Sequence, residues 1–345
     1  MRRSRVALVI AGLACGCAIT RGQSNAIQIT LPTENDALFR GGGPEFYQYI
    51  EREFQGEKSK PWEGGRYGFV RNPVPTSEGI IYSRFHEGID IRPLLRDAKG
   101  EPFDDVRAIA DGKVVHANAV AGYSNYGRYI VIEHVWDGSP YYSLYGHLSE
   151  IGVSAGVSVR RGERIARMGH TGEGLTRERA HVHLELNLML NHNFEGWHDH
   201  YFAHDPNHNG IYNGINLIGI DIARFLLGRK RQSDLTVRQF LRDEETFYRV
   251  RIPASPHFDL TQWYPWMVKN VAVDAKSWEV SFARSGVPLA MEARDEGVSE
   301  PSLAYIKKSE VDYTLLTRGV VGGHGEQAHL TESGARLMRL LTWPD

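Results

Sequence analysis

His181-Val-His-Leu-Glu-Leu-Asn-Leu188 alternates polar and apolar side chains without a break. That is the period of a β-strand, in which successive side chains point to opposite faces. His181, His183, Glu185 and Asn187 then share one face, while Val182, Leu184, Leu186 and Leu188 turn toward a core. Two imidazoles placed this way point into the same space. On its own, His-x-His equally suits a solvated strand that happens to carry histidine.

The texture around this strand is the same. Lys113 to Ala117, Tyr129 to Glu133 and Tyr141 to Tyr145 are short runs rich in β-branched and aromatic residues, and glycines punctuate them. From about residue 65 to 190 no long helical period interrupts the pattern, which predicts a compact all-β domain. Within it, 106–115 and 157–166 each read as apolar strand, glycine turn, apolar strand. Two such hairpins resemble the units of barrel-sandwich folds, as in lipoyl and biotinyl carriers. A carrier would need its modified lysine at a hairpin tip, and Lys113 instead lies within an expected strand.

Three more residues carry chemistry. His86 and Asp90 stand in Phe85-His-Glu-Gly-Ile-Asp-Ile91, and His147 closes Tyr145-Gly-His147. In an extended strand, positions 86 and 90 would be roughly 13 Å apart, too far to share an ion. A turn is needed, and Gly88 is placed to permit it. The helical H-E-x-x-H motif is absent, because position 90 is aspartate, so Glu87 is not assigned the base role it would have there. Two histidines and a carboxylate are a recurring shell for catalytic zinc, with a fourth place open for water. A lone histidine at a strand end is more often structural, so His147 gains its interest from the company of the others.

Length, charge and cysteine usage bound the setting. The 345 residues suggest two domains or one decorated domain. Hydrophobic content of 41%, charge of 24% and a formal net charge of -2 are those of a globular protein with no global field drawing it to nucleic acid. Residues 1–5 are basic, 6–14 are apolar and small residues follow, which reads as a secretory signal too short to span a bilayer as a mature helix. The two cysteines, Cys15 and Cys17, end this leader. Either export leaves the body without cysteine, or a lipid on one of them anchors the protein. The expected location is the periplasm or cell envelope.

Taken together, seven stretches resemble the lysostaphin-type, or LytM-domain, zinc endopeptidases of bacterial cell walls. They are His86-Glu-Gly-Ile-Asp90, Ala108-Ile-Ala-Asp-Gly-Lys-Val-Val115, Gly127-Arg-Tyr-Ile-Val-Ile-Glu-His134, Leu144-Tyr-Gly-His-Leu-Ser149, Val159-Arg-Arg-Gly-Glu-Arg-Ile-Ala166, Gly169-His-Thr-Gly172 and His181-Val-His-Leu-Glu185. The resemblance implies that His86, Asp90 and His183 hold Zn2+ and that His147 and His181 form the catalytic pair. It implies cleavage of peptidoglycan stems or cross-bridges as the activity. The family also has degenerate members that bind or activate without catalysis. The five intact positions here argue against that state. Two departures from the family pattern, the longer segment 92–105 and Thr176-Arg-Glu-Arg179 before H-x-H, are expected to line the substrate groove.

The resulting expectation is a mainly β chain: a barrel-sandwich (duplicated hybrid motif) antiparallel catalytic domain with an N-terminal helical segment and an α+β C-terminal extension. Its divisions are a signal at 1–22, an N-terminal segment at 23–64, the peptidase domain at 65–195 and an extension of unassigned role at 196–345. In the flanks we expect a short strand at 27–31 and a helix at 44–54. Beyond the peptidase domain, 191–216 should be irregular, 218–227 and 235–248 helical, 278–283 a strand and 331–341 a terminal helix. Tyr145 and Asn187 are candidate supports of the site, with plain packing as the competing role. The histidines at 192, 198, 200, 204 and 208 read as a polar loop beside the groove. Asp205 to Gly210 imitates a calcium loop but has Asn216 where a bidentate glutamate is required. Trp263, Tyr264 and Trp266 suggest either a sugar platform or, more simply, core.

Overall fold

The computed structural model describes residues 27–58, 61–270 and 274–344. The leader, with Cys15 and Cys17, lies outside the described residues. The chain is mainly β, as its alternating runs require. In chain order the principal elements are β1 Gly68–Thr76, β2 Gly79–His86, β3 Ile89–Ile91, β4 Asp105–Arg107, β5 Gly112–Asn118, β6 Tyr129–Trp136, β7 Ser139–Gly146, β8 Glu150–Ile151, β9 Ser158–Val159, β10 Arg164–Arg167 and β11 Val182–Met189. Then come α1 Phe194–Tyr201, β12 Leu217–Gly219, α2 Ile222–Arg231, α3 Val237–Arg242, β13 Tyr248–Pro253, β14 Ser277–Phe282, β15 Pro288–Arg294, β16 Ser302–Ile306 and α4 Glu332–Leu340.

The main antiparallel sheet runs β9–β5–β6–β7–β11–β12, and β3 adds to the free edge of β11. A second sheet, β8–β10–β4, faces it. The two glycine-centred units at 106–115 and 157–166 do not close on themselves as hairpins. Instead β4 pairs with β10 and β5 with β9, so each unit lends one strand to each sheet. This exchange buries Val106, Ile109, Val114, Ile165 and Ala166 between the layers, which an isolated hairpin could not do. A third sheet, β15–β14–β13–β16, belongs to the C-terminal part. One apolar core runs without interruption from Ile27 through Leu184 and Tyr248 to Leu341.

Several local expectations give way to tertiary pairing. Residues 44–54 form no α-helix. A short 3-10 turn at Gly43–Glu45 leads into extended chain, because Tyr47 bridges Ile91 and the Gln48 N–H donates to Asp90 O at 2.8 Å. Phe46 and Tyr47 are buried by this, and the hydrogen bonds a helix would have made go to β3 instead. Residues 27–31 form no strand; Thr30 N–H to Ile109 O and Arg107 N–H to Pro32 O, each at 2.8 Å, tie this stretch to β4 and the residues after it.

Beyond β11, the stretch expected to be irregular contains α1. The helix expected at 218–227 is split: Leu217–Gly219 pairs with β11, and α2 starts later, with Asp221 capping Arg224 N–H and Gly228 inside the helix. The helix expected at 235–248 shortens to α3, opened by a capping box at Thr236 and Gln239, and Tyr248 already begins β13. The strand at 277–282 and the terminal helix capped by Thr331 form as expected.

Candidate metal and catalytic site

The site is built where three strands meet. His86 ends β2, a bend follows at residues 87 and 88, and Asp90 sits in the middle of β3. In the antiparallel pairing of β3 with β11, His183 stands directly opposite Asp90. Directly opposed side chains share a face a few ångströms apart. Gly88 has a different reason from the turn expected of it. Its φ lies outside the left-handed region. A Cβ there would come within 2.3 Å of Leu184 O and 2.8 Å of Glu185 Cγ, so the backbone of the bend lies flat against β11.

The donor atoms converge. His86 Nε2 lies 3.1 Å from Asp90 Oδ1, His183 Nδ1 2.9 Å from the same oxygen, and the two ring nitrogens 3.1 Å from each other. Among the described residues this is the one group of three or more His, Cys, Asp or Glu side chains with donor atoms close enough to share a metal ion. His181 adds a fourth nitrogen, its Nε2 3.2 Å from Asp90 Oδ1. His147 follows the end of β7 in a left-handed conformation with φ +62°, uncommon outside glycine, and its ring centroid lies 4.7 Å from that of His181. The structure thus brings together all five residues singled out in the sequence. All five line one cavity of about 700 Å³.

Each imidazole is held from behind. His86 Nδ1 faces Arg66 O at 2.8 Å, His147 Nδ1 faces Thr171 O at 2.8 Å, and His181 Nδ1 faces Arg179 O at 2.7 Å. A carbonyl only accepts, so these Nδ1 atoms carry the protons and the Nε2 atoms are free to act as bases or ligands. His183 is held the other way round, its Nε2 2.7 Å from Glu185 Oε1. Outer hydrogen bonds of this kind fix tautomer and ring orientation in metal sites.

The electrostatics suit a cation. Burial alone would raise the Asp90 carboxyl, but His181, His86 and Arg71 hold it well below the usual carboxylate range. Burial works against protonation of His183, yet its bonds to Asp90 and Glu185 push its pKa up to about 9. Positive charge, as a proton or a metal ion, is therefore favoured at that ring. Burial, followed by the neighbouring His181 and His183, holds His147 well below the usual histidine value, so it is neutral.

Sequence reading left three supports without a role. Glu185 is fully buried and also accepts from Tyr126 OH at 2.8 Å and from Asn187 Nδ2 at 2.9 Å. Strand alternation already put Glu185 on the histidine face, so that signal was available. Arg71 donates from Nη2 to Asp90 Oδ2 at 2.7 Å, and nothing in the local sequence marks it or Tyr126. Of the two candidate supports, Asn187 contacts Glu185 and not a histidine. Tyr145 turns into the core, where its OH accepts from Ile109 N–H at 2.8 Å.

The other histidines go elsewhere. His192 pairs with Asp259 at 2.6 Å, His198 is buried against Phe194 and Phe202, and His134 lies 2.7 Å from Ser143 Oγ and from Asp111 O. His170 lies 3.0 Å from Glu101. Asn216 Oδ1, the atom a calcium loop would use, instead accepts from Asn191 N–H at 3.1 Å, while its Nδ2 donates to Asn191 O and Ile211 O. Tyr264 is buried, and Trp266 Nε1 donates to Ser139 Oγ at 3.1 Å, so these aromatics tie the C-terminal part to β7.

The model for "Peptidase family M23" matches residues 84–194. An "Uncharacterized metalloprotease" of Haemophilus influenzae is 37% identical over 134 residues, 39% of this chain and 23% of that protein. "Murein hydrolase activator NlpD" of Escherichia coli is 38% identical over 126 residues, 36% of this chain and 27% of that protein. "Lipoprotein NlpD" of Yersinia enterocolitica is 37% identical over 93 residues, 27% of this chain and 82% of that sequence. The chain spans about a quarter of the length of the first two of these relatives.

Proposed function

The chain belongs to peptidase family M23, and from that premise we propose that it is an exported zinc endopeptidase that hydrolyses peptide cross-links of bacterial peptidoglycan. The observation that carries the reading is the donor triangle of His86 Nε2, Asp90 Oδ1 and His183 Nδ1, with edges of 2.9 to 3.1 Å. Zinc–nitrogen bonds of about 2.0–2.1 Å put neighbouring tetrahedral donors about 3.3 Å apart. The residues therefore fit zinc after a shift of a few tenths of an ångström. Asp90 and Glu185 supply the negative charge that would offset it.

When bound there, zinc supplies Lewis acidity and a water acidified toward neutral pH. The remaining chemistry falls to the chain. His147 and His181 keep Nε2 toward the cavity because Nδ1 of each is committed to a backbone carbonyl. One accepts the proton of the attacking water at Nε2, and an imidazole protonated there stabilises the oxyanion or returns the proton to the leaving amine. The neutral state of buried His147, with its proton on Nδ1, suits proton acceptance at Nε2. Arg71 keeps Asp90 ionised and aimed at the two ring nitrogens.

The relative named "Murein hydrolase activator" motivates a second reading, a wall-binding activator on the same fold without catalysis. The five assembled residues favour hydrolysis. The protein would work in the periplasm or cell envelope, with a lipid at Cys15 or Cys17 as one means of attachment. Among the described residues, no helix is long and apolar enough to cross a membrane. The test is release of dye from labelled sacculi by the zinc-loaded chain. Hydrolysis predicts release that stops on chelation and returns with zinc. Saturating zinc binding without release would favour the activator.

A further inference from the structure

The hairpin that ends in His86 belongs to neither sheet of the peptidase part. Among the described residues, β1 and β2 pair only with each other. A two-stranded hairpin is marginal in water unless something packs on it. The C-terminal part does so. The Arg284 guanidinium lies 4.5 Å over the Phe69 ring of β1, and that of Arg318 lies 4.7 Å over the Phe85 ring of β2. At the turn of the hairpin, Glu78 Oε1 accepts from Glu310 N–H at 3.2 Å.

Arg318 also reaches the bend that follows His86. Its Nη2 donates to Glu87 Oε1 at 2.5 Å, and its Nη1 donates to Ser285 O at 3.3 Å. Glu87 stands between His86 and Gly88, so the bend is gripped on three sides. Gly88 lies against Leu184 O of β11. A Cβ on Gly219 would come within 2.2 Å of Glu87 O, so β12 lies against the bend as well. The third grip is the arginine. An exposed ion pair alone contributes little, because water screens it and two long side chains must be ordered. This pair is only 27% and 29% exposed, and Phe85 and Ser285 O already order the guanidinium. Arg318 has φ +59°, a left-handed conformation uncommon for any residue but glycine. It follows the short helix Tyr313–Leu316, where Gly319 N–H to Thr314 O at 3.0 Å closes the turn.

We propose that Arg318 is a positioning residue for the metal site: acting through Glu87, it holds the bend that sets His86 and Asp90 within reach of one ion. The inference deepens the zinc reading and rests on it. Arg318 lies far outside residues 84–194, the stretch that matches the family, so the site draws part of its rigidity from the C-terminal part. Charge alone predicts the opposite of this role. Removing a nearby positive group would by itself favour a cation at the donor triangle. Weaker metal binding without Arg318 is therefore a consequence of geometry.

The test uses the full chain carrying Arg318→Asn, Glu87→Gln or both. Asparagine tolerates the left-handed backbone, and glutamine keeps the shape of the partner. The probe is Co2+, read by its affinity and by the visible absorption of the bound ion, which reports ligand geometry. Hydrogen exchange of residues 85–91 is followed separately in chelator. We expect each single variant to bind Co2+ about tenfold more weakly, with an altered spectrum. Exchange should quicken at 85–91 and stay unchanged in β5 and β6. The double variant should be no worse than the singles, because both remove one contact. Unchanged affinity, spectrum and exchange in either single variant would overturn the positioning role, as would losses that add in the double variant. Exchange that quickens equally in β5 and β6 would overturn it too, since the loss is then one of general stability. Wild type that binds no Co2+ would overturn the zinc reading, and exchange at 85–91 would still decide whether Arg318 holds the bend.

Discussion

His183 donates its Nε2–H to Glu185 Oε1 at 2.7 Å, from two positions earlier on the same strand. Burial would raise the Glu185 carboxyl, but its bonds to His183, Tyr126 and Asn187 hold it below the usual range, so it is ionised and accepts only. The Nε2 proton of His183 is thereby fixed, and it is Nδ1, facing Asp90 and His86, that would exchange its proton for a metal ion. Glu185→Gln keeps the shape but weakens this orientation. We expect zinc affinity to fall about 10- to 100-fold, measured by competition with a chromophoric chelator. Unchanged affinity would mean that Glu185 merely fills space.

Gly88 lets the bend that carries His86 and Asp90 lie against β11. Gly88→Ala would put a methyl 2.3 Å from Leu184 O, a contact only backbone movement can relieve. The expected cost is about 1–3 kcal/mol, read as a lower melting temperature, together with loss of bound zinc. A variant with native melting and full zinc would show that the bend has slack.

His134 carries a pH dependence separate from the metal site. Burial lowers its pKa from 6.5 to about 4, with the Asp111 carbonyl opposing in part. Below pH 6.5 the unfolded chain takes up a proton that the folded chain refuses until about pH 4. Stability from this residue is therefore whole above that window and falls as the pH drops through it. The loss is at most about 3 kcal/mol. Urea unfolding in chelator at pH 7 and pH 4.5 should show a steeper decline for the wild type than for His134→Gln. Equal declines would remove His134 as a cause.

The N-terminal segment is part of the peptidase architecture. Phe46 and Tyr47 are buried, and Gln48 N–H binds the backbone of Asp90 itself. A chain beginning at residue 65 gives up about 1.5–3 kcal/mol for each such side chain, a large share of a typical 5–15 kcal/mol. Chemical denaturation of that shortened chain should show a much lower midpoint and weaker zinc binding. A native midpoint would contradict this.

The site was more legible than its frame. Strict alternation at 181–188 reports a strand directly, because period 2 survives any tertiary context that buries one face. The same alternation put His181, His183 and Glu185 together. What joins His86 to that strand is register, and register depends on partners far along the chain. Arg71 reaches Asp90 only because β1 pairs with β2, and no local pattern announces it. The flanks failed for a related reason. Phe46, Tyr49 and Ile50 have helical spacing, but pairing with β3 offers the same backbone a better outlet. Leu217–Gly219 is taken from a helical pattern by the edge of β11.

The central claim is that the donor triangle and the histidine pair together cleave peptide bonds in the wall. The most direct measurement incubates purified sacculi with wild type, His147→Ala and Asp90→Ala, each assayed for zinc, and identifies released peptides by mass. The account predicts fragments with new amino termini from the zinc-loaded wild type. It predicts none from His147→Ala at full zinc occupancy, a drop of about 10²–10⁴ or more, and neither zinc nor products from Asp90→Ala. Wild type that holds zinc yet releases nothing, or Asp90→Ala that cleaves fully in chelator, would contradict it.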